Sequence, residues 1–211
     1  MAIQTLMNTI ARSALLIVDV QKDFCRGGTL EVPDGDLIVP TLNRLIASCS
    51  RLGHSIYASR DWHPADSMHF LQHGGIWPTH CVADTQGAEF HRDLELPAET
   101  VIISKGQSRS SDGYSAFDGC TLLGELFQNE LAGRAISTLY VTGLATDYCV
   151  RHSVLDALRT GLRVNVVTDA IAGVDRRHGD AQRALKEMHE SGAELTTTTK
   201  LEKTISEINS Q

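Results

Sequence analysis

The sequence predicts an α/β protein with three α/β/α layers, built around a doubly wound, six-stranded and mainly parallel sheet. Short apolar runs alternate with longer amphipathic runs, which is typical of strands joined by crossover helices. The short runs are apolar at nearly every position, as strands are when helices cover both faces of a parallel sheet. A chain of 211 residues can bury a sizeable core without being divided. We therefore expect a single domain over residues 1–211.

Six apolar runs are predicted strands, namely 14–20, 55–59, 101–104, 139–143, 164–169 and 193–197, and the four threonines at 196–199 are placed at a strand end. Three amphipathic runs are predicted helices, namely 36–52, 147–160 and 179–191, and each is followed by a glycine, a common signal for the end of a helix. The segment 61–99 is rich in His, Gly, Pro and Trp and has no periodicity. We expect it to be a functional loop excursion.

Composition excludes several classes of partner. A formal net charge of −7 argues against nucleic-acid binding, because a phosphate backbone selects basic surfaces. The chain has neither a basic-then-apolar leader nor an apolar run of about 20 residues, so we expect a cytoplasmic protein without a membrane segment. Five cysteines without a CxxC pair fit a reducing compartment. The sequence leaves the oligomeric state open, and a homo-oligomer is compatible with it.

Polar residues follow four of the predicted strands. Asp19 closes the first, Asp61 follows the second, Lys105 follows the third, and Cys149 opens the helix after the fourth. Because the carboxyl ends of parallel strands meet at one edge of a sheet, we expect these four side chains to converge. Taken singly, each has a simpler explanation as a cap, a solvated charge or, for the cysteine, a small buried hydrophobe. Their convergence is what predicts a site.

Cys149 is predicted in the first turn of a helix capped by Thr146, where the helix dipole would lower the pKa of the thiol. An aspartate within reach could take the thiol proton and later deliver it to a leaving amine, and a lysine could hold both groups in place. Asp19, Lys105 and Cys149 are therefore candidates for a Cys-Lys-Asp triad.

A second set of candidates lies in the loop excursion. Asp61, His63, His69 and His80 are one carboxylate and three imidazoles within 20 residues, and they match the ligand preferences of Zn, Fe or Mn. On spacing alone, a loop histidine is more often an ordinary surface residue. The segment therefore has two interpretations, a metal site or a loop with ordinary surface histidines.

The motifs resemble those of nicotinamidases (pyrazinamidases), a branch of the isochorismatase-like cysteine hydrolases. "DVQKDF" is shared across that superfamily, whereas "DWHP", "WPxHCV" and "GLATDYCV" mark the nicotinamidase branch. The matching blocks occur in family order and are "LLIVDVQKDFCRGGTLEVPDGD" at 15–36, "SRDWHP" at 59–64, "WPTHCV" at 77–82, "SDGYSAF" at 111–117 and "VTGLATDYCVRHSVLDAL" at 141–158.

The resemblance implies a Rossmann-like fold of the isochorismatase-like type. It implies hydrolysis of nicotinamide, and of pyrazinamide, to the acid and ammonia through a thioester, as a step of NAD salvage. Asp19 would be the acid/base, Lys105 its partner and Cys149 the nucleophile. The backbone N–H groups of Ala145 and Cys149 would form the oxyanion hole, next to a cis peptide bond before Ala145.

The resemblance also implies one divalent metal ion held by Asp61, His63 and His80. Zinc is the first expectation, with iron and manganese as alternatives, and the ion would hold the pyridine nitrogen of the substrate. His69 matches a position that is a further ligand in some members only. An aromatic wall of Phe24, Trp77 and Tyr114 would enclose the substrate ring. No motif assigns a role to the polar stretch 107–113.

Three alternatives remain at this stage. An amidase of the same superfamily that acts on a carbamoyl or ureido compound would use a similar triad without the histidine metal set. A non-catalytic binding or thiol-sensing domain would use Cys149 as a reactive thiol without releasing ammonia. A vinyl-ether hydrolase of the isochorismatase type is disfavoured, because that chemistry does not need the cysteine.

Overall fold

The computed structural model describes residues 13–209, and it describes side chains for residues 13–203. Its centre is a seven-stranded sheet with the strand order β4-β3-β2-β1-β5-β6-β7. The strands are β1 (Ser13–Val18), β2 (Ser55–Asp61), β3 (Val101–Lys105), β4 (Cys120–Thr121), β5 (Thr138–Leu144), β6 (Arg163–Ala172) and β7 (Glu194–Thr196).

The topology is doubly wound, as predicted. From β1 the chain moves outward through β2 and β3 to β4, then returns to the other side of β1 and continues through β5, β6 and β7. Every neighbouring pair is parallel except β3 and β4, which are antiparallel. The predicted number of strands is one too low, because the two-residue β4 is too short to show any periodicity.

Within residues 13–209, five α-helices flank the sheet: α1 (Val39–Arg51), α2 (Phe127–Gly133), α3 (Arg151–Arg159), α4 (Asp180–Glu190) and α5 (Thr198–Asn209). The predicted helix at 36–52 begins as a 3-10 turn, Gly35–Ile38. Helices α2 and α5 were not predicted. The placement of all four threonines at a strand end is wrong, because Thr198 begins α5, where its N–H and its hydroxyl donate to Asp169 Oδ1 at 2.8 Å and 3.0 Å.

The three-layer arrangement follows from the alternation of side chains along the strands. Leu15 of β1 packs on one face with Leu42 of α1, in a cluster that also contains Leu201 of α5. Its neighbour Leu16 packs on the opposite face with Val154 of α3, together with residues of α2 and α4. None of these five side chains is more than 5% exposed, so the helices shield both faces of the sheet from solvent.

The two central strands approach each other closely where the site begins. Gly143 of β5 pairs with Val18 of β1, and a Cβ at Gly143 would lie 2.1 Å from the Val18 carbonyl oxygen. Only glycine fits at this point, which explains the Gly in "VTGLATDYCV". The chain then leaves β5 through a cis peptide bond between Leu144 and Ala145, as the resemblance implies.

The loop excursion between β2 and β3 crosses the carboxyl edge of the sheet. It contains two 3-10 turns, Leu71–His73 and Gln86–Ala88, and the rest is irregular. Within the described part of the chain, no helix combines the length and the apolar character needed to cross a membrane. The single-domain boundaries over 1–211 stay a prediction.

Candidate active site

Lys105 lies at the centre of the site and is completely buried. Its ammonium donates to Asp61 Oδ1 at 2.5 Å, to the Gly113 carbonyl at 2.7 Å and to Cys149 Sγ at 3.4 Å. Asp19 Oδ2 forms an ion pair with the same ammonium at 2.7 Å. The structure thus brings together the three residues predicted as a triad, at the ends of three different strands.

Asp19 is held on both sides. Its Oδ1 accepts a hydrogen bond from Ser59 Oγ at 2.7 Å, and its backbone adopts a positive φ of 49°. A carboxylate oxygen of Asp19, one of Asp61 and the sulfur of Cys149 all lie within 4.8 Å of one another. Asp19 Oδ2 accepts no well-directed hydrogen bond from the described residues, although the Lys105 ammonium lies 2.7 Å from it.

Cys149 sits in a single π-helical turn, Thr146–Val150, which precedes α3. The N-cap of this turn is Ala145, and Thr146 is a buried residue inside the turn. The prediction of Thr146 as N-cap is therefore wrong. Asp147 fixes the turn instead: its carboxylate accepts from the N–H groups of Val174 and Asp175 at 2.9 Å and 2.8 Å. Cys149 therefore precedes the first turn of the α-helix.

Burial and neighbouring charges set the protonation of the carboxylates and the lysine. Burial alone would lower the pKa of Lys105, but the carboxylates of Asp19 and Asp61 hold that pKa well above its usual range. Burial would raise the pKa of Asp61, yet the Lys105 ammonium and then His63 hold it well below its usual range. Burial raises the pKa of Asp19, and the Lys105 charge offsets this only in part. Asp19 is therefore the carboxyl group better suited to exchange a proton.

The cysteine does not behave as the helix-dipole reasoning predicts. Burial raises the pKa of the Cys149 thiol well above its usual value, and although Lys105 opposes this shift, the negative charges of Asp19 and Asp61 add to it. The prediction of a lowered thiol pKa is wrong because the loss of solvation outweighs the nearby positive charge. The thiol is protonated at rest and needs a base that accepts its proton.

The three histidines of the loop excursion are buried and meet beside Asp61. Each has its Nδ1 next to an oxygen: His63 Nδ1 lies 3.1 Å from the Gly106 carbonyl, His80 Nδ1 lies 2.7 Å from the Pro78 carbonyl, and His69 Nδ1 lies 3.0 Å from Asp112 Oδ1. Carbonyl and carboxylate oxygens only accept hydrogen bonds, so each Nδ1 must carry the proton. A neutral ring then presents an unprotonated Nε2.

The Nε2 atoms of His63 and His80 face Asp61. His63 Nε2 and His80 Nε2 lie 3.7 Å and 4.0 Å from Asp61 Oδ2. Among the described residues, His63 Nε2 is buried without a hydrogen-bond partner. Burial lowers the pKa of His80 to about 4, and it also lowers the pKa of His69, so both rings are neutral near pH 7. Neutral imidazole is the form that binds metal ions.

The two groups of residues share Asp61. Its Oδ1 accepts from Lys105, whereas its Oδ2 faces His63 and His80. Gln21, for which no individual role was predicted, fixes the backbone of Asp61: its Nε2 donates to the Asp61 carbonyl, and its Oε1 accepts from the Asp61 N–H, both at 2.8 Å. The only sequence signal for Gln21 was its place in "DVQKDF".

A narrow cavity of about 30 Å³ opens above Cys149 and is lined by the three predicted aromatic residues, Phe24, Trp77 and Tyr114, together with His80 and Asp61. Trp77 Nε1 donates to Tyr114 Oη at 2.8 Å, which ties two walls together. Tyr148, which was not predicted, also lines the cavity, with its ring centroid 4.9 Å from that of Trp77. We refer to this cavity as the slot.

A larger open cleft of about 780 Å³ lies beside the slot, and Tyr148 borders both. Two of its arginines are already paired, Arg151 with Glu187 and Arg183 with Asp180. Neither the buried lysine nor the histidine cluster lines it. A choice between the two cavities by volume alone would therefore select the cleft and miss the residues that can perform chemistry.

Comparisons with known proteins identify the family of the chain. The family model for the isochorismatase domain matches residues 13–200. The nicotinamidase of Escherichia coli (strain K12) is 41% identical, over 90% of this chain and 97% of the relative. The structure of the pyrazinamidase of Pyrococcus horikoshii in complex with zinc has a TM-score of 0.81 and 42% identity, over 88% of this chain and 99% of that one.

A third similarity is to PnC1 from L. infantum, whose structure in complex with nicotinate has a TM-score of 0.81 and 29% identity, over 90% of this chain and 94% of that one. The family match spans nearly all the described residues, and the mainly parallel α/β fold is consistent with it. The chain belongs to the isochorismatase family.

Proposed function

We propose that this chain is a metal-dependent cysteine amidohydrolase that converts nicotinamide to nicotinate and ammonia, a reaction of NAD salvage. The observation that carries the proposal is the position of Cys149 in the wall of the slot, in contact with Lys105 and close to Asp19, with His80 of the histidine cluster lining the same slot. Relatives that are nicotinamidases at 37–41% identity over most of their length support the same substrate.

The chemical step begins with proton transfer from the Cys149 thiol to Asp19. The sulfur attacks the carboxamide carbon, and the oxyanion that forms lies near the backbone N–H groups of Ala145 and Cys149. Asp19 returns the proton to the nitrogen as the C–N bond breaks, and ammonia leaves a thioester. Asp19 then takes a proton from water, whose oxygen attacks the thioester. As the C–S bond breaks, Asp19 returns this proton to the Cys149 sulfur, and the acid product leaves as nicotinate after losing its proton to the released ammonia.

Lys105 stabilises this sequence electrostatically. Its positive charge contacts Asp19, Asp61 and the sulfur, so it favours the thiolate when the proton moves to Asp19. Because the ammonium is completely buried, its charge is screened less than a surface charge would be. The group therefore acts as a fixed counter-charge for each anionic state of its neighbours.

A divalent ion fits the histidine cluster. The fit rests on the unpartnered, buried His63 Nε2 and on the anchored Nδ1 atoms, which leave imidazole nitrogens and one carboxylate oxygen directed at the same space. We assign His63, His80 and Asp61 as ligands and add His69. Zinc suits this donor set, and the similar P. horikoshii protein was crystallised with zinc. When bound, the ion supplies a Lewis-acidic site that holds the pyridine nitrogen of the substrate.

The alternatives from the sequence fit the structure less well. A carbamoyl or ureido substrate has no ring nitrogen for the histidine cluster to orient. A thiol sensor needs an accessible cysteine of low pKa, whereas Cys149 is only 7% exposed and burial raises its pKa. The substrate is a small molecule. Cytoplasmic location and a homo-oligomeric state stay predictions.

The test compares ammonia release from nicotinamide, pyrazinamide and benzamide. Nicotinamide and pyrazinamide present a nitrogen at the same ring position, whereas benzamide keeps the ring shape and the carboxamide but lacks that atom. We expect benzamide to react on the order of a hundredfold more slowly, because misplacing the carboxamide by about 1 Å can cost that much. Similar rates for nicotinamide and benzamide would contradict the role of the histidine cluster in orienting the ring. No release from nicotinamide would contradict the proposed function.

A further inference from the structure

The polar stretch that follows β3 passes along the whole site. We call residues 106–114 the strap. Its Gly106 carbonyl accepts from His63, its Gly113 carbonyl accepts from Lys105, and its Tyr114 hydroxyl accepts from Trp77. The strap thus contacts the histidine cluster, the triad and the aromatic wall.

Asp112 of the strap makes a contact of a different kind. Its Oδ1 lies 3.0 Å from His69 Nδ1, and the two residues are 43 positions apart in the chain. His63 and His80 are anchored by backbone carbonyls, whereas His69 is anchored by a charged side chain. Of the three cluster histidines, His69 is thus the one whose anchor a substitution can remove without altering the backbone.

The anchor determines which nitrogen His69 offers to the cluster. A hydrogen bond from Nδ1–H to a carboxylate fixes the tautomer with an unprotonated Nε2, restrains rotation of the ring and increases the basicity of Nε2. The His69 ring lies 5.0 Å from the His63 ring and 5.5 Å from the His80 ring, measured between centroids, so a small rotation would misdirect its Nε2. The Met68 N–H also donates to the Arg109 carbonyl at 2.8 Å, which joins the two loops beside this contact.

We propose that Asp112 is a positioning residue for the metal site: it orients His69 as a ligand and strengthens the His69–metal bond. This role rests on the metal site of the proposed function. It assigns a function to the strap. It also explains how His69, on an irregular loop, is held next to two histidines that are anchored by backbone carbonyls.

The experiment measures metal affinity in place of turnover. Wild-type protein, Asp112→Ala and Asp112→Asn are freed of metal and titrated with Co²⁺ against a competing chelator, with the visible absorption of bound Co²⁺ as a second readout. We expect Asp112→Ala to bind Co²⁺ about tenfold more weakly, the low end for loss of such an anchor, because the Asp112 side chain is 68% exposed. Asp112→Asn keeps an acceptor oxygen and should recover part of the affinity.

Asp66 provides a matched control. Its carboxylate is 64% exposed and pairs with Arg109 of the strap at 3.2 Å, three residues before His69, so Asp66→Ala removes a similar charge and a loop contact but no contact with an imidazole. We expect its Co²⁺ affinity to stay within about twofold of wild type.

A double-mutant cycle separates positioning from a general charge effect. If Asp112 acts through His69, Asp112→Ala should cause no further loss in a His69→Ala background. Equal affinity of wild type and Asp112→Ala, or an undiminished loss in the His69→Ala background, would overturn the proposal. So would a wild-type protein that binds no Co²⁺, whereas tight Co²⁺ binding without nicotinamide hydrolysis would overturn the proposed function and leave the positioning role standing.

Discussion

The triad and the histidine cluster lie side by side but differ in how their polar groups are satisfied. The Lys105 ammonium has all its partners within the protein, and they neutralise its charge. The cluster directs imidazole nitrogens at a common space, and His63 Nε2 has no partner among the described residues. The triad is held together by ion pairs between its own charges, and its unpartnered Asp19 Oδ2 still lies beside the Lys105 ammonium, whereas the cluster has the form of a binding site.

The two regions also come from different parts of the fold. Asp19, Lys105 and Cys149 follow or end strands of a packed sheet, so their positions are set by the core. His63, His69 and His80 lie on an irregular excursion that is held by hydrogen bonds to backbone oxygens and to the strap. The difference suggests that changes in the triad will affect chemistry directly, while changes around the cluster will act through metal affinity and substrate orientation.

The largest effect should come from removing the sulfur. We expect Cys149→Ala to lower kcat for nicotinamide by at least about a thousandfold, because among the described residues that line the slot no other side chain carries a thiol that can form the thioester. Nicotinamide should still bind, since the slot and the cluster are unchanged, and calorimetric titration can measure this.

Cys49 is the control for that substitution. It is a buried cysteine in α1 that packs in the core, and burial raises the pKa of its thiol to about 12. Cys49→Ala should lower the free energy of unfolding by about 1 kcal/mol through lost packing and leave kcat within a few-fold. If Cys149→Ala retained a tenth of wild-type activity, the assignment of the nucleophile would be wrong.

Removal of the metal should produce a smaller loss and should be reversible. We expect chelation to lower kcat/KM for nicotinamide by roughly a hundredfold, because the ring loses its orientation while the triad keeps its protein partners. Added Zn²⁺ should restore the rate, and His63→Ala and His80→Ala should not be rescued at ordinary metal concentrations. The far-UV circular dichroism of the metal-free protein should match that of the loaded protein. Full activity after exhaustive removal of metal would leave the cluster without a role in the reaction.

The same contrast explains how much could be predicted from sequence. Asp19, Lys105 and Cys149 could be predicted to meet because the carboxyl ends of parallel strands converge whatever their spacing in the chain. The rise in the pKa of Cys149 could not be predicted from the sequence, because it depends on how completely the folded protein excludes water from the sulfur. The start of α5 at Thr198 was hidden for a similar reason: it is fixed by Asp169, 29 residues earlier, against the modest helix propensity of threonine.

Residues of the strap were the least predictable. The stretch 107–113 has no periodicity, and the contact between Asp112 and His69 joins two irregular loops. The sequence did contain one local signal, Gly106 directly after Lys105, but a glycine there could equally have marked an ordinary turn. Only the folded structure shows that a side chain at Gly106 would collide with the His63 ring.

The smallest expected effect sharpens the comparison between the two regions. Gly106 has a φ of +67°, and a Cβ there would lie 2.4 Å from His63 Cε1 and 2.6 Å from His63 Nδ1. Gly106→Ala should therefore displace the His63 ring and weaken Co²⁺ binding by about tenfold.

Gly53 is the matched control, because its φ is +70° and a Cβ there would meet nothing within 4 Å. Each alanine should lower the free energy of unfolding by about 1–2 kcal/mol from the left-handed backbone alone, measured by urea denaturation of the metal-free proteins. Only Gly106→Ala should lower the Co²⁺ affinity. If both variants bound Co²⁺ as tightly as wild type, the cluster would tolerate a displaced His63, and the position of this histidine would not be what determines metal affinity.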